Sequence, residues 1–218
     1  MRSGVMVHPV VARLLDVASP ALSSAPALVI LKGTACDRQL VTDWCKLLAA
    51  RNGFYCFEGA LHVFPSRSNA EHFGLDEWNS QDLWREEYAG MEPDLLFVAE
   101  DVFGNQFGLL EDFVCTFDAE TAAVTKFSRS VAEWSARMLT EFNRHTGYPV
   151  AHRWQSCRGR IAAGRRLIPR IPFARGGKRL VENLYDCEAV AGMRTRGQQA
   201  RRLVDMPYEA PIEYSIVD

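Results

Sequence analysis

Residues 95–127 set short runs rich in Val, Phe and Leu between three polar breaks: Gly104-Asn105, Glu111-Asp112 and Asp118-Ala119-Glu120-Thr121. Apolar runs of strand length with turn-forming residues between them predict an antiparallel meander. Gly and Asn tolerate the positive φ that tight hairpin turns require, so Gly104-Asn105 marks the first reversal. Upstream, Phe54-Tyr55-Cys56-Phe57 and Ala60-Leu61-His62-Val63-Phe64 repeat the pattern on either side of Glu58-Gly59.

Helical periodicity flanks the meander. Leu40, Val41, Trp44, Leu47 and Leu48 form a buried stripe over residues 37–51, and Asn52-Gly53 supplies the stop. Ser130 and Glu133 have capping-box spacing, and Val131, Trp134, Met138, Leu139 and Phe142 follow on one face. The spacing predicts a helix over 130–143 that lies on the sheet and seals its core. A short amphipathic helix is expected after Pro9, and Leu28-Val29-Ile30-Leu31 reads as a strand or a buried strap. Residues 75–88 read as a helix or two helical turns, with Trp84 and Tyr88 on one face and Asp82 and Glu86 one turn apart on another.

Pro169 and Pro172 exclude a continuous helix over 167–173. Gly176-Gly177 then suggests a turn before a strand at 181–184, a helix at 189–204 and a strand at 212–217. The expected architecture is a single α+β domain spanning 1–218, with a mixed or mainly antiparallel sheet packed by helices. Its core lies at about 28–145, followed by a basic loop and a strand–helix–strand extension over 146–218.

Composition narrows the setting. No run approaches the roughly 18–20 apolar residues that span a bilayer, and Pro9 and Asp16 interrupt any signal-peptide core, so a cytoplasmic protein with no membrane partner is expected. Cys36, Cys45, Cys56, Cys115, Cys157 and Cys187 contain no C-x-x-C pair and read as reduced, mostly buried thiols.

A net charge of −2 conceals a strong segregation. Between Glu71 and Glu120 fourteen acids face Arg85 alone, whereas Arg153 to Arg179 holds nine cations and no acid. A dense anionic surface steers basic partners and penalises the wrong sign. The candidate partner-binding residues are therefore Asp76, Glu77, Trp78, Asp82, Trp84, Glu86, Glu87 and Asp101. The basic stretch could follow a phosphate backbone, but Trp154 and Phe173 are too few and too far apart for a base-stacking platform. Nucleic acid therefore ranks below a protein partner, and solvation or docking against the acidic region are the simpler accounts.

Catalytic signatures are missing: there is no G-x-S-x-G, no H-E-x-x-H, no phosphate loop and no dinucleotide fingerprint. His62 and His72 with Cys56 lack metal-ligand spacing and read as satisfied structural residues. Glu100 and Asp101, adjacent on one strand, point to opposite faces and cannot share a proton; Asp101 is better placed to bond the amides of the Gly104-Asn105 turn. No catalytic residue, metal or cofactor is expected.

The motif Phe97-x-Ala99-x-Asp101-x-Phe103-Gly104-Asn105-Gln106-Phe107 resembles the signature of the SUKH superfamily, which contains bacterial immunity proteins and fungal cell-wall-synthesis regulators. The resemblance continues through Trp134, Ile171-Pro172-Phe173-x-x-Gly176-Gly177, Glu182-Asn183-Leu184-Tyr185 and Asp205-Met206-Pro207, running from Gly53 to the C-terminus. It implies a SUKH-like fold and a non-enzymatic immunity protein that neutralises the C-terminal domain of a cognate toxin. The alternative it implies is an intracellular scaffold or regulator.

Overall fold

Six strands pair in sequence order, each antiparallel to the next: β1 (Phe54–Cys56), β2 (Leu61–Val63), β3 (Leu96–Asp101), β4 (Gln106–Leu110), β5 (Phe113–Phe117) and β6 (Val124–Ser128). The computed structural model describes residues 6–24, 37–91 and 94–205. All three breaks expected in the meander are reversals. Gly104 takes φ +81°, and the two later turns place Glu111 and Ala122 at φ +51° and +59°. In β3, Phe97 lies opposite Gly108 and Ala99 opposite Phe107, leaving Val98 as a bulged residue.

Helices cover both faces of the sheet. On one, α1 (Pro9–Asp16), α2 (Arg38–Ala50) and α4 (Val131–His145) form a layer in which Trp134 meets Trp44 and Phe107, with ring centroids 5.2 and 5.9 Å apart. The Ser130 cap expected for α4 is present, and Asp37 supplies one for α2 as well. Asp37 Oδ1 accepts from Gln39 N and Leu40 N at the start of α2, and Ser130 Oγ accepts from Glu133 N at the start of α4. Glu133 reaches back to the Arg129 amide, one residue beyond the cap itself.

The opposite face is covered by α3 (Leu75–Trp78) and a 3-10 turn at Arg85–Tyr88. Trp78 stacks on Phe64 and Trp84 packs on Phe97, while the Tyr88 hydroxyl donates to the Ala119 carbonyl at 2.7 Å. Burying each large side chain here stabilises the fold by roughly 1.5–3 kcal/mol.

The C-terminal part differs from expectation in three places, one of them a strand at Arg165–Pro169 inside the expected basic loop. Residues 148–158, expected within a basic loop, form helix α5 (Tyr148–Arg158), because Gly147 supplies a left-handed entry at φ +71° and Pro149 fits the first turn. The strand expected at 181–184 starts at its last residue. Val181–Asn183 is a 3-10 turn, drawn in by the Asn183 side chain, which donates to the carbonyls of Ile171 and Lys178 and accepts from Ile171 N.

β7 (Arg165–Pro169) and β8 (Leu184–Glu188) pair antiparallel as a separate ribbon, and α6 (Ala189–Asp205) follows. The strand readings at 28–31 and 212–217 lie outside the described residues. A second, smaller core joins Ala60, Val102, Phe103, Ala151, Leu167 and Leu184. Of the five described cysteines only Cys56 and Cys115 are buried, fewer than expected, and all five are free thiols.

Gly147 seats the α4–α5 turn on this second core. A Cβ there would lie 2.4 Å from Phe103 Cε2 and 2.9 Å from Val102 Cγ1. Gly147→Ala is predicted to cost about 3–5 kcal/mol, from left-handed strain plus overpacking. Gly90→Ala carries the same strain at φ +83° in open space and is predicted to cost about 1–2 kcal/mol. Urea denaturation midpoints of the two variants check the difference.

Candidate functional site

The acidic stretch divides by burial. Asp76 and Glu77 project from the first turn of α3, where the positive end of the helix suits them, and Asp82 and Glu86 are likewise exposed. Glu87 is half-buried, because α6 crosses so closely at Gly197 that a Cβ there would stand 2.6 Å from Glu87 Cβ. Among the described residues none of these five carboxylates is held in an ion pair.

Three of the expected partner-binding residues are corrected. Trp78 and Trp84 are 0% and 1% exposed, since amphipathic turns laid on a sheet direct their aromatics inward and their acids outward. Trp78 Nε1 donates to Gln106 Oε1 at 2.9 Å, and the Trp78, Trp84 and Tyr88 rings pack in series beneath the acids. Asp101 is also buried. Its Oδ1 accepts from Phe103 N at 2.8 Å and Asn105 N at 2.9 Å, and its Oδ2 from Asn105 Nδ2 at 2.9 Å. It is the turn-binding carboxylate that the spacing suggested.

Cations from α6 share the acidic edge, and no periodicity signalled them. Arg194 Nε donates to the Leu83 carbonyl at 2.6 Å, and Arg201 donates to the Glu86 carbonyl. These α6 contacts lie outside the 153–179 stretch expected to dock on the acidic region; that stretch meets it through Arg166 on Glu100 and the Ala174 amide on Glu120 Oε2. Within the 153–179 stretch, Arg165 pairs with Asp186 at 2.7 Å and Arg166 with buried Glu100, while Arg153, Arg158, Arg160, Arg170, Lys178 and Arg179 remain exposed.

Glu100 and Arg166 belong to a buried polar network that the sequence did not reveal. His62 Nδ1 lies 3.0 Å from Glu100 Oε1, and Gln106 Nε2 donates to Glu100 Oε2 at 3.2 Å and to the Gly104 carbonyl at 2.8 Å. Next to it, Arg196 donates to the Phe103 carbonyl and to Asn105 Oδ1. Burial raises the Glu100 carboxyl, but Arg166 and His62 outweigh that and hold it below its ordinary range. Burial drives His62 down to about 4, so the imidazole is neutral near pH 7. Burial pushes Asp101 up to about 6 against the Asn105 hydrogen bonds and the Arg196 charge. His62 and His72 stand 6.2 Å apart by ring centroid, and among the described residues no group of three or more His, Cys, Asp or Glu is placed to hold a metal. None of the described helices is long and apolar enough to cross a membrane.

No protein-family model and no curated protein matches the chain. Among solved structures it is similar to Atu4351 from Agrobacterium tumefaciens, with a TM-score of 0.51 and 11% sequence identity over 88% of this chain and 81% of that one. At this identity the likeness concerns the α+β fold and leaves activity to be argued from the site.

The buried imidazole links the network to acid stability. Between about pH 6.5 and 4 the unfolded chain gains a proton at His62 that the folded chain does not, so this residue's contribution falls as pH falls. Asp101 acts in the opposite direction between about 6 and its ordinary value of 3.8, where the folded chain holds the extra proton. His62→Asn keeps an N–H for Glu100 and removes only the imidazole. The stability difference between wild type and this variant is predicted to shift against wild type by on the order of 2–3 kcal/mol from pH 7 to 4, read by denaturant titration at each pH.

Proposed function

We propose that the chain is an immunity protein of the SUKH type: a non-enzymatic cytoplasmic protein that binds a basic cognate toxin domain and blocks its active site or its access to substrate. The observation that carries this reading is the arrangement of Asp76, Glu77, Asp82 and Glu86, exposed and outside any ion pair among the described residues, above the buried Trp78–Trp84–Tyr88 floor. Unpaired charges on a rigid support attract the opposite sign over a distance and require no backbone ordering when the partner docks. Toxins that cut nucleic acid are basic because they hold phosphates, so such a surface suits their neutralisation. The resemblance of the Phe97–Phe107 motif supplies the toxin half of the proposal, and the surface supplies the sign of the partner's charge.

A second reading, an intracellular scaffold or regulator, is favoured by Arg194 and Arg201, which give the same edge mixed sign and suit more than one partner.

Capture from the native cell's lysate separates the two. The immunity reading predicts one large toxin retained through its C-terminal region, and the scaffold reading predicts several unrelated proteins. With the captured partner, the combined change Asp76→Lys, Asp82→Lys and Glu86→Lys is predicted to weaken the complex at least ~10-fold and to flatten its salt dependence with the fold intact. Unchanged affinity removes this surface from the interface. Glu87 is kept in that variant, because its stem packs against Gly197 of α6.

A further inference from the structure

In the basic stretch, α5 and the residues at 179–181 border a groove of about 260 Å³ lined by Pro149, Val150, Arg153, Arg179, Leu180 and Val181. Two chemistries lie side by side in it. Val150 and Val181 form an apolar floor, continued onto the surface by Leu180, which is 43% exposed. Arg153 and Arg179 are both exposed, and neither is held in an ion pair among the described residues.

Arg179 is oriented before any ligand arrives. Its guanidinium lies 5.7 Å from the Phe103 ring centroid and 5.2 Å from that of Phe173, a double cation–π contact. Such stacking lowers the entropy lost when the fork takes up a carboxylate. Among the described residues no acid lines the groove; the nearest in sequence is the exposed Glu182 on the 3-10 turn. Ile171, 50% exposed, and Lys178 repeat the pairing of apolar and basic side chains nearby in the chain.

We infer that this groove binds an acidic polypeptide segment, with an apolar side chain seated on Val150, Val181 and Leu180 and flanking carboxylates on Arg153 and Arg179. Charge complementarity sets the sign of the occupant, and the apolar floor requires a side chain that a bare phosphate chain lacks. A nucleic acid is disfavoured on the same surface. Phe173 is half-buried with Arg179 across its face and Phe103 at its edge, and Trp154 packs into the second core, so the bases have no stacking platform. This surface is separate in residues and sign from the acids of α3 and the Arg85–Tyr88 turn, so the two proposals stand or fall independently.

The test is fluorescence anisotropy with a fluorescein-labelled Glu-Glu-Leu-Glu-Glu peptide at low salt, compared with oligo-dT carrying the same label. The expected result is saturable, salt-sensitive binding of the peptide by wild type. Arg153→Glu with Arg179→Glu should weaken it at least ~10-fold, and Leu180→Ser by roughly 3–10-fold. The variant carrying Asp76→Lys, Asp82→Lys and Glu86→Lys should not lose affinity for it. Arg153→Glu alone touches no aromatic ring and keeps the test decisive where Arg179→Glu disturbs Phe173. The inference is overturned by no saturable binding to wild type, by binding that none of these groove variants weakens, or by oligo-dT binding as tightly as the peptide with the same sensitivity to Arg153→Glu.

Discussion

The fold depends on a charge pair that water does not reach. Glu100 on β3 and Arg166 on β7 are 1% and 2% exposed and hydrogen-bonded to each other, which ties the β7–β8 ribbon to the main sheet. Removing two charges from water costs several kcal/mol each, so the contact relies on neighbours that add hydrogen bonds to it, although Arg166 Nε and His62 Nε2 have no partner among the described residues. His62 and Gln106 bond the carboxylate, and the Arg165 carbonyl accepts from Arg166 Nη1. Gln106 then carries the network to Trp78 of α3. In the adjoining turn Asn105, bonded to Asp101, separately receives Arg196 of α6.

This changes the meaning of the Asp101-x-Phe103-Gly104-Asn105-Gln106-Phe107 motif. Its polar members are all engaged inside the protein. Asp101 closes the turn, Asn105 receives Arg196 and the Ala119 amide, and Gln106 links Glu100 to Trp78. Phe103 supports Arg179, and Phe107 packs on Trp134 and Phe127. The motif is the scaffold that holds the outer layers in place. The exposed groups offered to partners lie outside it, the acids on α3 and the Arg85–Tyr88 turn and the cations on α5 and the Arg179–Val181 stretch.

Local chemistry explains what the sequence made legible. Turn residues and strand-length apolar runs locate β1 to β6, an apolar stripe with a glycine stop locates α2, and a capping box with its stripe locates α4, because these signals act between residues close in the chain. The helix at 148–158 is not legible because it buries only Ala151 and so has no apolar stripe. The strand at 184–188 is displaced from its expected position because Asn183 bonds to Ile171 and Lys178, groups named by no local pattern. Trp78 and Trp84 read as surface anchors because acids surround them in sequence, whereas the sheet beneath decides which side of each turn is buried. The Glu100–Arg166 contact spans 66 positions and is invisible in the sequence for that reason.

A double-mutant cycle on Glu100→Gln and Arg166→Met tests this organisation most directly, with stability measured by denaturant unfolding. If the pair holds the ribbon to the sheet, each single change strands a buried charge and costs about 3–5 kcal/mol, while the double change costs much less than their sum. Strictly additive losses would contradict the account, since they would mean that the two side chains act independently and that something else joins the ribbon to the sheet.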